Sequence, residues 1–290
     1  MEAKYLFKNE ELMEADSPSL FPSNRLFKFG DGLFESIRIV NGKICFLNNH
    51  INRLVEGMEA LKMEVPENYT EEYFLKLINE LIEKNEINEG GLVRLSVYRD
   101  AEGAYHPKCN ISSFILEANP YKENQYRLNE EGLVVDLYPE MKKMVDCLSM
   151  YKTSNSLLYI MASLYCDEKN LDDCFLLNTS GTIIEASSSN IFIVSNGVLY
   201  TSSLEEGCVA GTMRMNIINL ALEHNIKVYE YKLTPQNLLA ADEIFLTNAV
   251  SGLKWVGSYR SKRYFNDITK KLTNLLNESV ASLKLDLEGN

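Results

Sequence analysis

Hydrophobic and polar residues alternate, or recur at helical spacing, in short segments along the first 118 residues. The dipeptide Asn41-Gly42 separates two strand-like segments and supplies the two positive φ angles that a type I′ hairpin turn requires. Two segments with helical spacing follow, and Gly90-Gly91 ends the second of them before two more strand-like segments. This order predicts a first α/β unit. Its strands are predicted at 33–40, 43–47, 92–99 and 112–118, and its helices at 50–63 and 71–85.

The rest of the chain continues this alternation after a polar segment at 119–132, which is poor in aliphatic residues. Such a composition is typical of a connection between domains. A second hairpin turn is predicted at Asn196-Gly197. We therefore expect an α/β (α+β) chain of two domains, a smaller one at 1–118 and a larger one at 133–290 with a barrel-like sheet. Strands of the larger domain are predicted at 133–138, 174–178, 182–187, 190–194, 227–233 and 243–250, and helices at 213–224 and 267–283.

Composition and charge exclude several classes of partner. The chain has 290 residues, 46% of them hydrophobic, and its formal net charge of −12 would repel a nucleic-acid backbone or an anionic bilayer. We expect no nucleic-acid and no membrane partner. Six cysteines form no C-x-x-C pair and three histidines lack metal-site spacing, so no metal site is predicted. A charged N-terminus and the lack of a long apolar run favour a cytoplasmic protein.

Two charged residues stand in apolar surroundings. Lys152 precedes a run of apolar residues that predicts a buried helix or strand, where a lysine must snorkel to solvent, pair with a carboxylate or lose its charge. Glu185 lies in a strand-like segment, either on a solvated face or buried against a cation. Both residues are therefore candidates for a site, and each has an ordinary structural alternative.

Two further features are compatible with an anion site. Ala210, Gly211 and Thr212 lead directly into a helix, whose first N–H groups lie at the positive end of its dipole and can bind phosphate or merely water. Arg53 lies at helical spacing from His50 and by itself would be a surface arginine. An amine, a carboxylate and a phosphate-binding helix start are together the groups that pyridoxal phosphate chemistry uses.

On these residues the sequence resembles the class IV (fold type IV) pyridoxal-phosphate enzymes, which comprise branched-chain aminotransferases, D-amino-acid aminotransferases and aminodeoxychorismate lyases. The resemblance extends over nearly the whole chain, and the spacing from Lys152 to Glu185 is that of the family. It is carried by FGDGLFESIRIVNGKICFLNNHINRL at 29–54, YKTSN at 151–155, IIEASSSNIFIV at 183–194, GCVAGTMR at 207–214 and ADEIFLTNAVSG at 241–252.

The resemblance implies a cofactor, pyridoxal 5′-phosphate, and a role for each matching residue. Lys152 would form the Schiff base and carry the proton at the substrate carbon, so it is the expected catalytic residue. Glu185 would pair with the pyridine nitrogen and keep the ring an electron sink. The phosphate would be bound by Arg53, by the helix start at Gly211, Thr212 and Met213, and by the Thr247 hydroxyl.

The reaction differs between the branches of the family. Lys152 lacks the Gly-Gly-Asn-Tyr continuation of branched-chain aminotransferases, and Ala104-Tyr105-His106 lacks the arginine of the D-amino-acid branch. Met213 before Arg214, the pair Asn248-Ala249, and Asn155 three residues after Lys152 favour a lyase that converts 4-amino-4-deoxychorismate to 4-aminobenzoate and pyruvate. An amino-acid aminotransferase is the alternative. Candidate substrate-binding residues are Phe34, Arg94, Tyr105, His106, Asn248 and Ala249.

The resemblance also implies a homodimer acting on a small amino-acid-like substrate, with Phe34 and Tyr105 candidates to serve the neighbouring subunit. A cofactor-free lysine aldolase would use Lys152 but would need neither Arg53 nor the glycine-led helix start. A binding protein without activity would tolerate the loss of Lys152 or Glu185, and both are present.

Overall fold

The computed structural model describes residues 3–17 and 21–283. Contacts divide these residues into two compact units. The first contains the residues up to Gln125, the segment Tyr151–Asn155 and the residues from Val280 onward, and the second contains Tyr126–Met150 and Ser156–Ser279. The domain boundaries predicted from the sequence remain a prediction. In the structure, the short segment around Lys152 belongs to the first unit.

The first unit contains a six-stranded sheet and three helices. The strands are β1 (Tyr5–Lys8), β2 (Glu11–Glu14), β3 (Gly32–Val40), β4 (Lys43–Ile44), β5 (Gly91–Arg99) and β6 (Ser112–Pro120), and the helices are α1 (Arg25–Phe29), α2 (Leu47–Ala60) and α3 (Glu71–Lys84). The strand order in the sheet is β2-β1-β6-β5-β3-β4. Helix α2 packs on β3, and α3 packs on β1 and β6, so one hydrophobic core lies between the sheet and the two longer helices.

The hairpin between β3 and β4 has the predicted turn, since Asn41 has a φ of 50° and Gly42 a φ of 73°. The predicted strand at 43–47 was too long, because Phe46 takes a positive φ and α2 begins at Leu47. This early helix start matters for the site, because α2 carries His50 and Arg53.

The second unit contains a nine-stranded sheet that closes on itself. The strands are β7 (Leu133–Leu137), β8 (Asp173–Leu177), β9 (Ile183–Ala186), β10 (Asn190–Ser195), β11 (Val198–Ser202), β12 (Val228–Tyr231), β13 (Glu243–Asn248), β14 (Gly252–Tyr259) and β15 (Lys262–Arg263). Strand β9 pairs with both β8 and β10, so β10, β13, β14, β7, β8 and β9 form a closed six-stranded barrel without free edges. The predicted barrel-like sheet is confirmed.

Four α-helices and one 3₁₀ turn accompany these strands. They are α4 (Leu157–Lys169), the 3₁₀ turn Leu204–Glu206, α5 (Thr212–Glu223), α6 (Pro235–Ala240) and α7 (Asp267–Ser282), the last of which ends among residues grouped with the first unit. Among the residues that the structure describes, none of the helices has the length and apolar character needed to cross a bilayer.

Helix α4 corrects one expectation. The apolar run after Lys152 was predicted to be buried, but Leu157 is 72% exposed and Ile160 is 51% exposed, and Met161 and Leu164 are exposed as well. These four residues follow helical spacing on one face, whereas Ala162 and Cys166 on the other side are buried. The helix therefore packs in the unit through its other side chains, which include the partly buried Leu158, and leaves these four apolar side chains exposed.

Candidate active site

Lys152 lies beside two of the predicted substrate-binding residues, within the first unit. Its Nζ atom is 4.3 Å from the centroid of the Phe34 ring, and the guanidinium carbon of Arg94 is 4.1 Å from the same centroid. An aromatic ring attracts cations to its face, which explains how two positive groups share one neighbour. Phe34 thus contacts the Lys152 of its own chain.

Main-chain hydrogen bonds fix the position of Lys152. The Phe34 N–H donates to the Lys152 carbonyl at 2.9 Å, and the Ser154 N–H donates to the Gly32 carbonyl at 2.9 Å. Leu33 and Thr153 form an isolated β-bridge between these bonds. The segment around Lys152 is therefore attached to the start of β3, and the FGDGLFE and YKTSN motifs meet there.

A buried ionic cluster lies on the adjacent face of α2. Arg53 donates to Glu35 through Nε at 2.8 Å and through Nη2 at 2.5 Å, and His50 Nδ1 lies 2.6 Å from the same carboxylate. Burial would raise the pKa of Glu35, but Arg53 and His50 outweigh it and lower that pKa to about 2. Burial lowers the pKa of His50 in spite of the neighbouring carboxylate. The predicted phosphate contact of Arg53 remains a prediction, since the structure has this guanidinium paired with Glu35.

Tyr105 and His106 lie on an exposed loop after β5, and Tyr105 is 90% exposed. Arg25 anchors the loop by donating to the carbonyls of Gly103 at 3.2 Å and Ala104 at 2.5 Å. A cavity of about 240 Å³ lies beneath it, and its lining includes Arg25, Tyr105, Thr153 and Asn155. The loop thus borders a cavity that the residues next to Lys152 also line.

Glu185 is buried in β9 of the second unit, so the solvated alternative does not hold. Its Oε1 atom accepts hydrogen bonds from Lys143 Nζ at 2.7 Å and from the Tyr159 hydroxyl at 2.9 Å. Its Oε2 atom accepts one from the Val209 N–H at 2.8 Å. The carboxylate is thus fixed in orientation, and its cation partner in this structure is Lys143.

Asn190 brings the other predicted cofactor residues of this unit together. It is paired in the sheet with Glu185 on one side and with Thr247 on the other. A Cβ atom on Gly211 would lie 1.9 Å from the Asn190 Oδ1 atom, so the backbone at Gly211 approaches Asn190 as only a glycine can. Glu185, Thr247 and Gly211 therefore surround one asparagine side chain.

The start of α5 fits an anionic group. Gly211 is its N-cap and provides no side-chain hydrogen bond, and the first turn, beginning with Thr212 and Met213, contains no acidic residue. The Thr247 hydroxyl oxygen is buried and has no hydrogen-bond partner among the described residues. Buried hydroxyl groups normally have a partner. The residues present therefore fit a bound phosphate.

Asn248 and Ala249 form hydrogen bonds that stabilise the turn after β13. The Asn248 Oδ1 atom accepts from the N–H groups of Val250 at 3.0 Å and Ser251 at 2.8 Å, and its Nδ2 atom donates to Ser189 at 3.0 Å. The Ala249 carbonyl accepts from the Tyr126 hydroxyl at 3.1 Å. Their predicted contact with substrate remains a prediction beside these structural roles.

Three residues of the site were not singled out from the sequence: Lys143, Tyr159 and Asn190. Lys143 lies in a loop between β7 and α4, where neither helical nor strand periodicity gives a signal. Tyr159 lies seven residues after Lys152, outside the motifs that carry the family resemblance. Asn190 follows the serine run in IIEASSSN. Its pairing with β9 and β13 depends on the register of the sheet, which the sequence pattern did not predict.

The second unit contains the closed barrel, and the first unit contains a lysine attached to the start of β3. The profile of the amino-transferase class IV family matches residues 32–259, and the chain belongs to this family. Enzymes of the family depend on pyridoxal phosphate. The predicted family membership, fold and cofactor are therefore confirmed.

Two curated relatives have aminotransferase names. A protein of Methanocaldococcus jannaschii, provisionally named a branched-chain-amino-acid aminotransferase, is 31% identical over 251 residues, which are 84% of this chain and 85% of that protein. A D-alanine aminotransferase of Listeria monocytogenes is 29% identical over 248 residues, 83% of this chain and 82% of that protein. Both matches extend over most of each chain.

Two solved structures have the same fold. The branched-chain aminotransferase of Thermoproteus uzoniensis, determined with norvaline, superposes with a TM-score of 0.88 at 24% identity and covers 98% of this chain and 96% of its own. A Legionella pneumophila protein, provisionally named a 4-amino-4-deoxychorismate lyase, has a TM-score of 0.82 at 26% identity and covers 91% of this chain and 96% of its own.

Proposed function

We propose that this chain transfers an amino group from an amino acid to a 2-oxo acid. The observation that carries the proposal is the grouping of the Lys152 amine and the Arg94 guanidinium over the Phe34 ring. An amine that can move a proton then lies near a cation that can hold a substrate carboxylate. Both curated relatives described above have aminotransferase names, which supports transfer over elimination.

Each residue has a separate task in the proposal. The bound cofactor would supply an electron-withdrawing ring at the substrate carbon. Lys152 would hold the cofactor covalently and then carry the proton to and from the substrate carbon. Glu185 would face the ring nitrogen, while Arg53, the N-terminus of α5 and the Thr247 hydroxyl would bind the phosphate. Arg94 would orient the substrate carboxylate, and Phe34 would shield the amine from water.

A second candidate is the lyase that the motifs favoured. Its support is the 26% identical Legionella structure with its provisional lyase name, together with Met213 before Arg214 and the pair Asn248-Ala249. Both reactions need the same lysine, carboxylate and phosphate site. They differ in the product, because the lyase releases pyruvate and 4-aminobenzoate whereas the transferase yields a 2-oxo acid from its amino donor.

The experiment gives cofactor-loaded protein L-leucine, D-alanine or L-glutamate with 2-oxoglutarate or pyruvate, and 4-amino-4-deoxychorismate in a parallel reaction. Amino transfer that is absent in Lys152→Ala supports the proposal and shows which donor is used. Release of 4-aminobenzoate without amino transfer would replace it with the lyase.

We further propose that two copies of this chain associate through the apolar face of α4. Leu157, Ile160, Met161 and Leu164 form a continuous exposed stripe on this helix. This stripe is the observation that supports the association. The proposed partner is a second copy of the chain, because the same face on two identical chains can pack together about a two-fold axis.

A further inference from the structure

Two side chains and one main-chain N–H donate to the carboxylate that faces the cofactor ring in the proposal above, and one of the two side chains is a second lysine. We infer that Lys143 is a positioning residue that fixes Glu185 in its orientation and moderates the positive charge that the cofactor can carry. The inference rests on the proposed role of Glu185. It does not depend on whether the reaction is transfer or elimination.

The hydrogen bonds of Glu185 leave room for one more donor. Oε1 accepts from Lys143 and from Tyr159, and Oε2 accepts from the Val209 N–H. An ionised carboxylate offers about four acceptor positions, so three are occupied and the fourth, on Oε2, can accept from a protonated ring nitrogen. The same three bonds prevent the carboxylate from rotating.

Lys143 has no freedom to leave this arrangement. Its ammonium group donates to Glu185 at 2.7 Å, to the Tyr159 hydroxyl at 2.8 Å and to the Ser149 carbonyl at 3.0 Å, which uses all three of its N–H bonds. Its main chain is held too, because its N–H donates to the Leu177 carbonyl at 2.9 Å and its own carbonyl accepts from Thr179 at 3.2 Å. Because its main chain and its ammonium group are both hydrogen-bonded, Lys143 places its charge at a fixed position.

The other titratable groups of the cluster are neutral. Burial, and to a smaller extent the charge of Glu185, raises the pKa of Tyr159 well above its ordinary value. Burial raises the pKa of Cys208 to about 11. Arg214, whose charge acts on Cys208, is paired with Glu230 at 2.8 Å. The charge that faces the ring position is therefore the sum of Glu185 and Lys143, which is close to zero.

This balance has a consequence for the cofactor. A lone glutamate would stabilise a protonated cofactor by its full negative charge, whereas the neighbouring ammonium opposes that effect. Removing the charge of Lys143 should favour the protonated cofactor. The pH midpoint of the cofactor's visible absorbance should then move upward, by about half a pH unit or more for charges a few ångströms apart.

The test compares variants of the cofactor-loaded protein by titrating this absorbance band. Lys143→Met should raise the midpoint, Lys143→Arg should restore it, and Lys142→Met, which removes a charge from an exposed neighbour, should leave it unchanged. Lys143→Gln makes the same test if Lys143→Met does not fold. A midpoint that is unchanged or lowered in Lys143→Met and Lys143→Gln would overturn the inference, even if thermal stability fell.

Glu185→Gln separates this inference from the proposed function. If it lowers the midpoint while Lys143→Met has no effect, the role of Glu185 is supported and that of Lys143 is overturned. If neither variant moves the midpoint, the assignment of Glu185 itself fails and the inference fails with it.

Discussion

The amine of Lys152 and the ring of Phe34 are in direct contact, with Nζ 4.3 Å from the ring centroid. The contact is built by two motifs far apart in the sequence, because the segment 151–155 pairs with the start of β3. Arg94 reaches the same ring from the neighbouring strand β5. The first unit by itself therefore holds the Lys152 amine in place and brings the Arg94 cation close to it.

Arg94→Met should raise the KM for the amino-acid substrate by roughly 10- to 100-fold, since one charge-assisted hydrogen bond contributes about 1.5–3 kcal/mol. Cofactor affinity should not change. Steady-state kinetics with saturating pyridoxal phosphate measure the effect. Arg127→Met, at an exposed position, is the matched control, and equal KM values for the two variants would contradict a substrate contact by Arg94.

Thr247→Val should weaken pyridoxal phosphate binding by about five- to tenfold, because it removes a hydroxyl worth about 1 kcal/mol to a bound phosphate. Fluorescence titration of the cofactor-free protein gives the dissociation constant, with the exposed Thr179→Val as control. Protein stability should be nearly unaffected, since the hydroxyl oxygen has no hydrogen-bond partner among the described residues. An unchanged dissociation constant would place the phosphate elsewhere.

Gly211→Ala should weaken cofactor binding more than tenfold, because the new methyl group would lie 1.9 Å from the Asn190 side-chain oxygen and displace the start of α5. The double variant Gly211→Ala with Asn190→Ala removes that clash and should recover part of the affinity. The same titration measures both. A double variant no better than the single one would show that contact with Asn190 is not what the glycine avoids.

Glu35→Gln should lower the free energy of unfolding at pH 7 by roughly 3 kcal/mol, since the pKa of Glu35 falls from 4.5 to about 2 on folding. A lowered folded-state pKa stabilises the protein above the unfolded value, and this stabilisation is lost as the pH falls. The difference from the natural chain should therefore shrink between pH 4.5 and about 2. Denaturant unfolding measures it, with the exposed Glu56→Gln as control, and a difference independent of pH would contradict the assignment.

Leu157→Glu together with Leu164→Glu should convert a dimer to a monomer, because charges on the exposed face of α4 would have to be buried in the interface. Analytical ultracentrifugation gives the mass. The control is Glu168→Lys, an exposed charge on the same helix. A natural chain that sediments as a monomer, or a double variant that still sediments as a dimer, would refute association through this face.

The sequence was sufficient for the elements that depend on local chemistry. The Asn41-Gly42 turn and the barrel-like second sheet were predicted from turn residues and alternation, and Lys152 and Glu185 stood out as charges among apolar residues. Exposure of α4 could not be predicted in this way, because an apolar face looks the same whether it meets a core or solvent. Lys143 was missed because its partner, Glu185, is distant in the sequence, and the two meet only because the segment at Lys143 and strand β9 both lie beside β8.

The most direct test of the central claim locates the lysine that binds the cofactor. Borohydride reduction of the loaded protein fixes pyridoxal phosphate to the amine with which it has condensed, and peptide mass spectrometry then identifies the residue. The cofactor mass should be found on Lys152, and Lys152→Ala should carry none. Label on Lys143, the amine that contacts Glu185, or retention of label in Lys152→Ala, would contradict the account.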